Sequence, residues 1–147
     1  MTLPSHIILG LVIGKITGNY TLAIASSVLI DVDHLQSYVK NKVIFNPKLF
    51  WKTITDKNDP YGDQRGYLHN FLVFFVLSIF LFFIFGYMII PFIAGWFGHI
   101  FLDALDNSDY WPLFPYKWLN LKGPIIYASY QEIIFSILLM GIYFMLL

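Results

Sequence analysis

Residues 71–90 run for twenty positions without a charged side chain. A helix of that length crosses about 30 Å of hydrocarbon. In hydrocarbon the backbone must satisfy its own hydrogen bonds, which a helix does within a single segment. Four more apolar segments accompany it, at 7–16, 20–30, 92–105 and 124–147, with Glu132 the only charge in the last. None alternates with the period of two that barrel strands need. Thr17-Gly18-Asn19 supplies a turn between the first two, and Pro91 predicts a break after the third. The fold expected is all-α: an integral membrane bundle of about five helices, one domain over 1–147. Several of its helices are short, because roughly 10 to 14 residues do not span a bilayer unaided.

Composition agrees. The chain is 58% hydrophobic, 20% aromatic and only 12% charged, where a soluble domain carries about a quarter charged residues. Formal net charge is zero, so no nucleic acid partner is expected. There is no cysteine, which removes disulfides and thiolate metal sites. The first apolar stretch lacks the basic start of a cleaved signal peptide, since Lys15 comes only at its end.

Alternating helices make a spatial prediction. If the first segment starts on one face, His6 lies there. Asp31, Asp33 and His34 follow the second segment and return to that face. His69 precedes the third, and His99 and Asp103 sit near the end of the fourth. One end of the bundle therefore collects all of them. The two polar stretches, 35–68 and 106–123, fall on the same face and hold eight of the nine Lys and Arg. The positive-inside rule makes that face cytoplasmic, in a multi-pass protein of the cell membrane. The second stretch is rich in Trp, Tyr and Pro, as suits an interfacial belt.

The gathered residues suggest metal chemistry. His99 and Asp103 are four apart and share one helix face; Asp31 and His34, three apart, can also converge. Asp33 points elsewhere unless the helix has ended, and Asp106 extends the His99–Asp103 stripe while also reading as an ordinary helix end. Imidazole with carboxylate favours zinc, iron or manganese over calcium. Two such ions activate a water and clamp a phosphoryl oxygen, with Asp33 or Asp103 as natural bridges. Arg65, the only arginine, has a fork that fits a phosphate or carboxylate. Ionisable groups within apolar segments are costly and usually functional, which weights His99 and Asp103 most. Glu132 is expected to be structural, hydrogen-bonded to a tyrosine.

These stretches together resemble the YdjM-like family of membrane-bound metal-dependent hydrolases. The resemblance rests on His6 with Gly10, Asp31-Val32-Asp33-His34, Gln64-Arg65-Gly66-Tyr67-Leu68-His69, and His99-Ile100-Phe101-Leu102-Asp103 running into a Trp/Pro-rich stretch. The chain departs from that pattern with Ile30 for a proline, Gln64 for a histidine and Asp106 for a threonine. The resemblance implies a centre of one to three ions, zinc first and manganese or iron as alternatives. Its ligands would be His6, Asp31, Asp33, His34, His69, His99 and Asp103. Asp33 and Arg65 take catalytic roles in this reading, with a metal-bound hydroxide as nucleophile and Arg65 on an anionic group of the substrate. A lipid headgroup or another lipid-linked phosphoester is the expected substrate, and membrane lipid the expected partner. The family also resembles, more distantly, zinc-dependent phospholipase C and S1/P1-type nucleases. The first alternative is a non-catalytic membrane module whose His/Asp cluster is structural or scaffolds a partner. A transporter ranks below it, because segments three and five offer few polar residues. No His-Glu-x-x-His is present to suggest a metalloprotease.

Overall fold

The computed structural model describes residues 1–56 and 65–146, so Gln64 lies outside the described residues. The described chain is helical, with no strand and only two isolated bridges, Asp106 with Ile125 and Tyr110 with Leu121. The five apolar segments form α1 (Leu3–Thr17), α2 (Tyr20–Leu29), α5 (Phe71–Phe85), α6 (Ile90–Leu105) and α7 (Tyr130–Met145). Two short helices, α3 (Asp33–Lys40) and α4 (Pro47–Thr55), lie in the first polar stretch.

Local chemistry sets the ends of these helices. Gly18 takes a left-handed conformation (φ 75°) that stops α1, as glycine does without steric cost. Asn19 then caps α2 by accepting from the Leu22 amide at 3.0 Å. Asn70 caps α5 in the same way, from Leu72 and Val73. The break after the third segment falls at Gly86 (φ 59°), not at Pro91. Proline is at home in the first turn of α6, where its missing N–H has no intrahelical partner to lose. The last apolar segment also starts late as a helix. Residues before Ser129 pair instead with the end of α6, through Gly123 N–H to the Asp106 carbonyl and Ile125 N–H to the Leu105 carbonyl.

Among the described residues one helical run, Phe71–Leu105, is long and apolar enough by length and composition to cross a membrane. It does not run straight. The Phe74 ring lies 5.4 Å from Trp96 and 5.8 Å from Phe97. Along an unbroken helix Phe74 and Phe97 would stand about 34 Å apart. The run is therefore a hairpin turned at Gly86, with α6 returning towards the level of His69. The outer face of α5 stays uncovered, and Phe83 is 84% exposed.

The inner helices approach closely. A Cβ on Gly95 of α6 would fall 2.5 Å from the Ala23 carbonyl oxygen of α2, and one on Gly10 of α1 would fall 2.4 Å from Ser27 Oγ. Small residues let apolar helices touch backbone to backbone. Ile30, Phe74, Trp96, Ile100 and Tyr110 form the buried cluster beside this contact. α7 packs on α1 and is pinned through Glu132. Its carboxylate accepts from Thr2 N and Oγ1, Ser5 Oγ and Ala128 N at 2.6–2.8 Å. Small hydroxyls and amides hold Glu132, in place of the expected tyrosine.

Candidate metal centre

All four histidines meet at one end of the helices. His6 stacks on His99 with ring centroids 3.9 Å apart. His69 lies 5.0 Å from His99 and 5.4 Å from His34 by the same measure. Each arrives on a different element: the first turns of α1, the start of α3, the turn before α5, and the later part of α6. Asp31 sits in the helical turn that joins α2 to α3, which keeps it and His34 on one side, 2.9 Å apart (Oδ1 to Nε2).

The hydrogen bonds at the back of two rings define their fronts. His99 Nδ1 is 2.7 Å from the Ser27 carbonyl oxygen, which can only accept, so Nδ1 carries the proton. His69 Nδ1 faces Asp33 Oδ2 at 3.2 Å, and by the same reasoning it donates. Both rings then present Nε2 forwards, and the two Nε2 atoms are 3.1 Å apart. Two lone pairs at that distance repel unless a proton or a metal ion lies between them. Two imidazole nitrogens on one tetrahedral zinc ion stand about 3.3 Å apart.

Carboxylates surround this pair. Asp103 Oδ2 is 3.3 Å from His69 Nε2 and 3.7 Å from His99 Nε2. Asp31 Oδ1 is 3.4 Å from His99 Nε2 and 3.9 Å from His69 Nε2. Three overlapping triads offer ligand atoms all within 4.8 Å of one another: His6, Asp31 and His99; Asp31, His34 and His69; His69, His99 and Asp103. The fit to a cation is supported from a second side. His6 is fully buried, yet among the described residues its Nδ1 meets no hydrogen-bond partner and its Nε2 only approaches Asp103 Oδ1, at 3.5 Å. A buried polar group without a partner is costly, and a metal ion would remove that cost.

Asp33 and Arg65 are also bonded within the protein. Asp33 belongs to none of the three triads. Its Oδ2 accepts from the amides of Leu68 (2.6 Å) and His69 (3.3 Å) as well as from His69 Nδ1, so it sits behind the histidine and orients it. Gly66 makes room for this, since a Cβ there would lie 3.2 Å from the Asp33 carboxyl carbon. Arg65 Nε is 2.9 Å from Asp103 Oδ2, and its Nη1 donates to the Asp109 carbonyl at 3.3 Å. The guanidinium is thus bonded to the cluster itself, while it also lines the cleft outside. Asp106 is buried beyond Asp103 and caps the Ser108 amide at 2.7 Å. The Met1 ammonium lies between Asp103 Oδ1 (2.6 Å) and Asp106 Oδ2 (2.9 Å).

Supporting residues went unread in the sequence: the Ser27 carbonyl, Trp96 Nε1 donating to the Leu68 carbonyl (2.8 Å), and Tyr110 OH donating to the His69 carbonyl (2.6 Å). Main-chain acceptors leave no mark in a side-chain pattern. Electrostatics reinforce the pairing at the edge of the cluster. Burial opposes charge on Asp31, but the hydrogen bond with His34 and the neighbouring imidazoles outweigh it and hold the carboxyl well below the usual range. Burial likewise lowers the His69 pKa, yet the Asp103 and Asp33 carboxylates overcome it and raise the imidazole above its ordinary value.

A cleft of about 420 Å³ opens over the cluster. Asp31, His34, Arg65 and Asp103 form its polar side, and Leu3, Val28, Tyr38, Phe50 and Ile54 its apolar side. No curated protein and no solved structure matches the chain. The sequence model of one family, described as YdjM inner membrane protein, matches residues 1–147, and on that whole-length match the chain belongs to this family.

Proposed function

We propose that the chain is a multi-pass membrane hydrolase that uses a metal centre, facing the cytoplasm, to cleave a phosphoester of a lipid or lipid-linked molecule. The 3.1 Å approach of His69 and His99 Nε2, with both Nδ1 protons committed behind, carries the metal part of this reading. His6, Asp31, His34, His69, His99 and Asp103 would hold one or more ions, with zinc first. Bound there, the metal would lower the pKa of a water and polarise a phosphoryl oxygen. The protein's own groups do the rest. Asp33 fixes the His69 ring and its tautomer. Arg65 holds Asp103 in place and turns part of its guanidinium towards the cleft, where it neutralises an anionic substrate. The apolar wall at Leu3, Val28 and Phe50 favours a substrate with a hydrocarbon portion beside its charge. The membrane setting draws on the family's description and on the uncovered apolar face of α5.

Elemental analysis of the purified chain, paired with headgroup release from phospholipid in mixed micelles, tests this proposal. The expected result is bound zinc at a fixed ratio and headgroup release that chelator abolishes and added metal restores. Absence of any stoichiometric metal sinks the proposal entirely. Metal without turnover of any phosphoester leaves the second reading, a non-catalytic module. One observation favours that second reading: Arg65 already balances the Asp103 charge from within the protein.

A further inference from the structure

Residues 40–55 hold Lys40, Lys42, Lys48 and Lys52 and no acidic residue. The charge sits beside large exposed apolar groups, with Phe45 76% and Trp51 67% exposed. Lys48, Trp51, Lys52 and Thr55 follow the i, i+3, i+4, i+7 spacing of one helix face, and all four are exposed on α4. The opposite face is engaged. Phe50, Thr53 and Ile54 line the cleft over the His/Asp cluster, Phe50 packs edge-on against Tyr38, and the Tyr127 hydroxyl donates to the Ile54 carbonyl at 2.8 Å. The helix is thus a wall of the cleft with a basic, aromatic outer side.

We propose that this outer side, Phe45 and Trp51 flanked by Lys42, Lys48 and Lys52, rests on an anionic phospholipid surface. Charge complementarity selects the occupant. Lysines beside exposed aromatic rings are the composition of a segment lying in the headgroup layer, the rings at the acyl boundary and the ammonium groups among phosphates. A neutral lipid surface would satisfy the rings but leave three lysines unmatched. Seated this way, α4 holds the mouth of the cleft at headgroup depth. The docking needs no metal and no catalysis, so it stands or falls apart from the hydrolase reading.

The absence of native cysteine makes the test direct. Full-length chains carrying Phe45→Cys or Trp51→Cys are labelled with a nitroxide and reconstituted in nanodiscs, either of phosphatidylcholine alone or mixed with phosphatidylglycerol. Collision with oxygen and with a water-soluble nickel chelate then reports depth. In phosphatidylglycerol discs both labels should meet oxygen and be shielded from nickel. In phosphatidylcholine discs they should shift towards water. Lys48→Gln with Lys52→Gln should weaken the preference for the anionic surface roughly 25-fold, at about fivefold per lysine. High salt should weaken it as well. Labels equally open to nickel in both lipids overturn the proposal. So does depth that ignores both lipid charge and the lysine changes. Shielding from both reagents overturns it in favour of a protein contact. The two label positions guard against a local folding defect at either one.

Discussion

Asp31 and Asp33 are two residues apart and face different partners. Asp31 Oδ1 looks into the cluster at His34 and His99, while Asp33 Oδ2 braces the turn that carries His69. The difference predicts separable phenotypes. His99→Ala or Asp31→Asn should remove at least one equivalent of bound metal. Asp33→Asn should keep the stoichiometry and weaken affinity about 10- to 100-fold, as loss of a supporting hydrogen bond does. Competition against a chromophoric chelator measures both, and loss of an equivalent in Asp33→Asn would make that residue a ligand after all. The spacing of His99 and Asp103 was legible because a helix brings i and i+4 together. The role of Asp33 was not, since it depends on a turn 35 residues away passing in front of the carboxylate.

The helices themselves were largely readable, because their information is local: long apolar runs and the turn at Thr17-Gly18-Asn19. Two boundaries were missed for physical reasons. Gly86 tolerates positive φ and so turns the hairpin, while Pro91 begins a helix comfortably. How closely the helices pack was not readable, since it depends on which glycine meets which backbone. Gly95→Ala tests that contact. Its Cβ would press on the Ala23 carbonyl oxygen, which cannot swing away as a side chain can. The variant should lose roughly 1–3 kcal/mol of stability. It should also bind metal more weakly, because the same α2–α6 contact sets the Ser27 carbonyl against His99. Gly141→Ala, with open space around it, is the control, and should be neutral or slightly stabilising. Thermal unfolding in detergent compares them, and equal shifts for the two would show that the close contact is unimportant.

At the scale of the whole molecule, alternation of helix direction is what assembles the cluster from four separate places in the chain. It couples folding to pH with a sign that metal reverses. Without metal, the raised His69 pKa contributes stability that is full below the ordinary imidazole value, about 6.5. That contribution is lost as pH climbs through the raised value. The depressed Asp31 carboxyl contributes a constant amount across this window, because its losses come only at acid pH. With metal bound, the imidazoles must be neutral, so retention should fall as pH drops below that same range. Above about pH 6.5, melting temperatures should therefore fall with rising pH for chelated protein and hold for loaded protein; parallel trends there would contradict ligation by these histidines. The turn at Gly86 carries a further consequence. It leaves two arms of 15 and 16 residues, each about 22–24 Å long, in place of one straight rod. On the proposed multi-pass reading each arm crosses the bilayer while being shorter than an average hydrocarbon layer, so hydrophobic mismatch would follow. Bilayers of short acyl chains should hold it most stably, long-chain bilayers should drive it to cluster, and the surrounding membrane should be drawn thin just where the cleft opens.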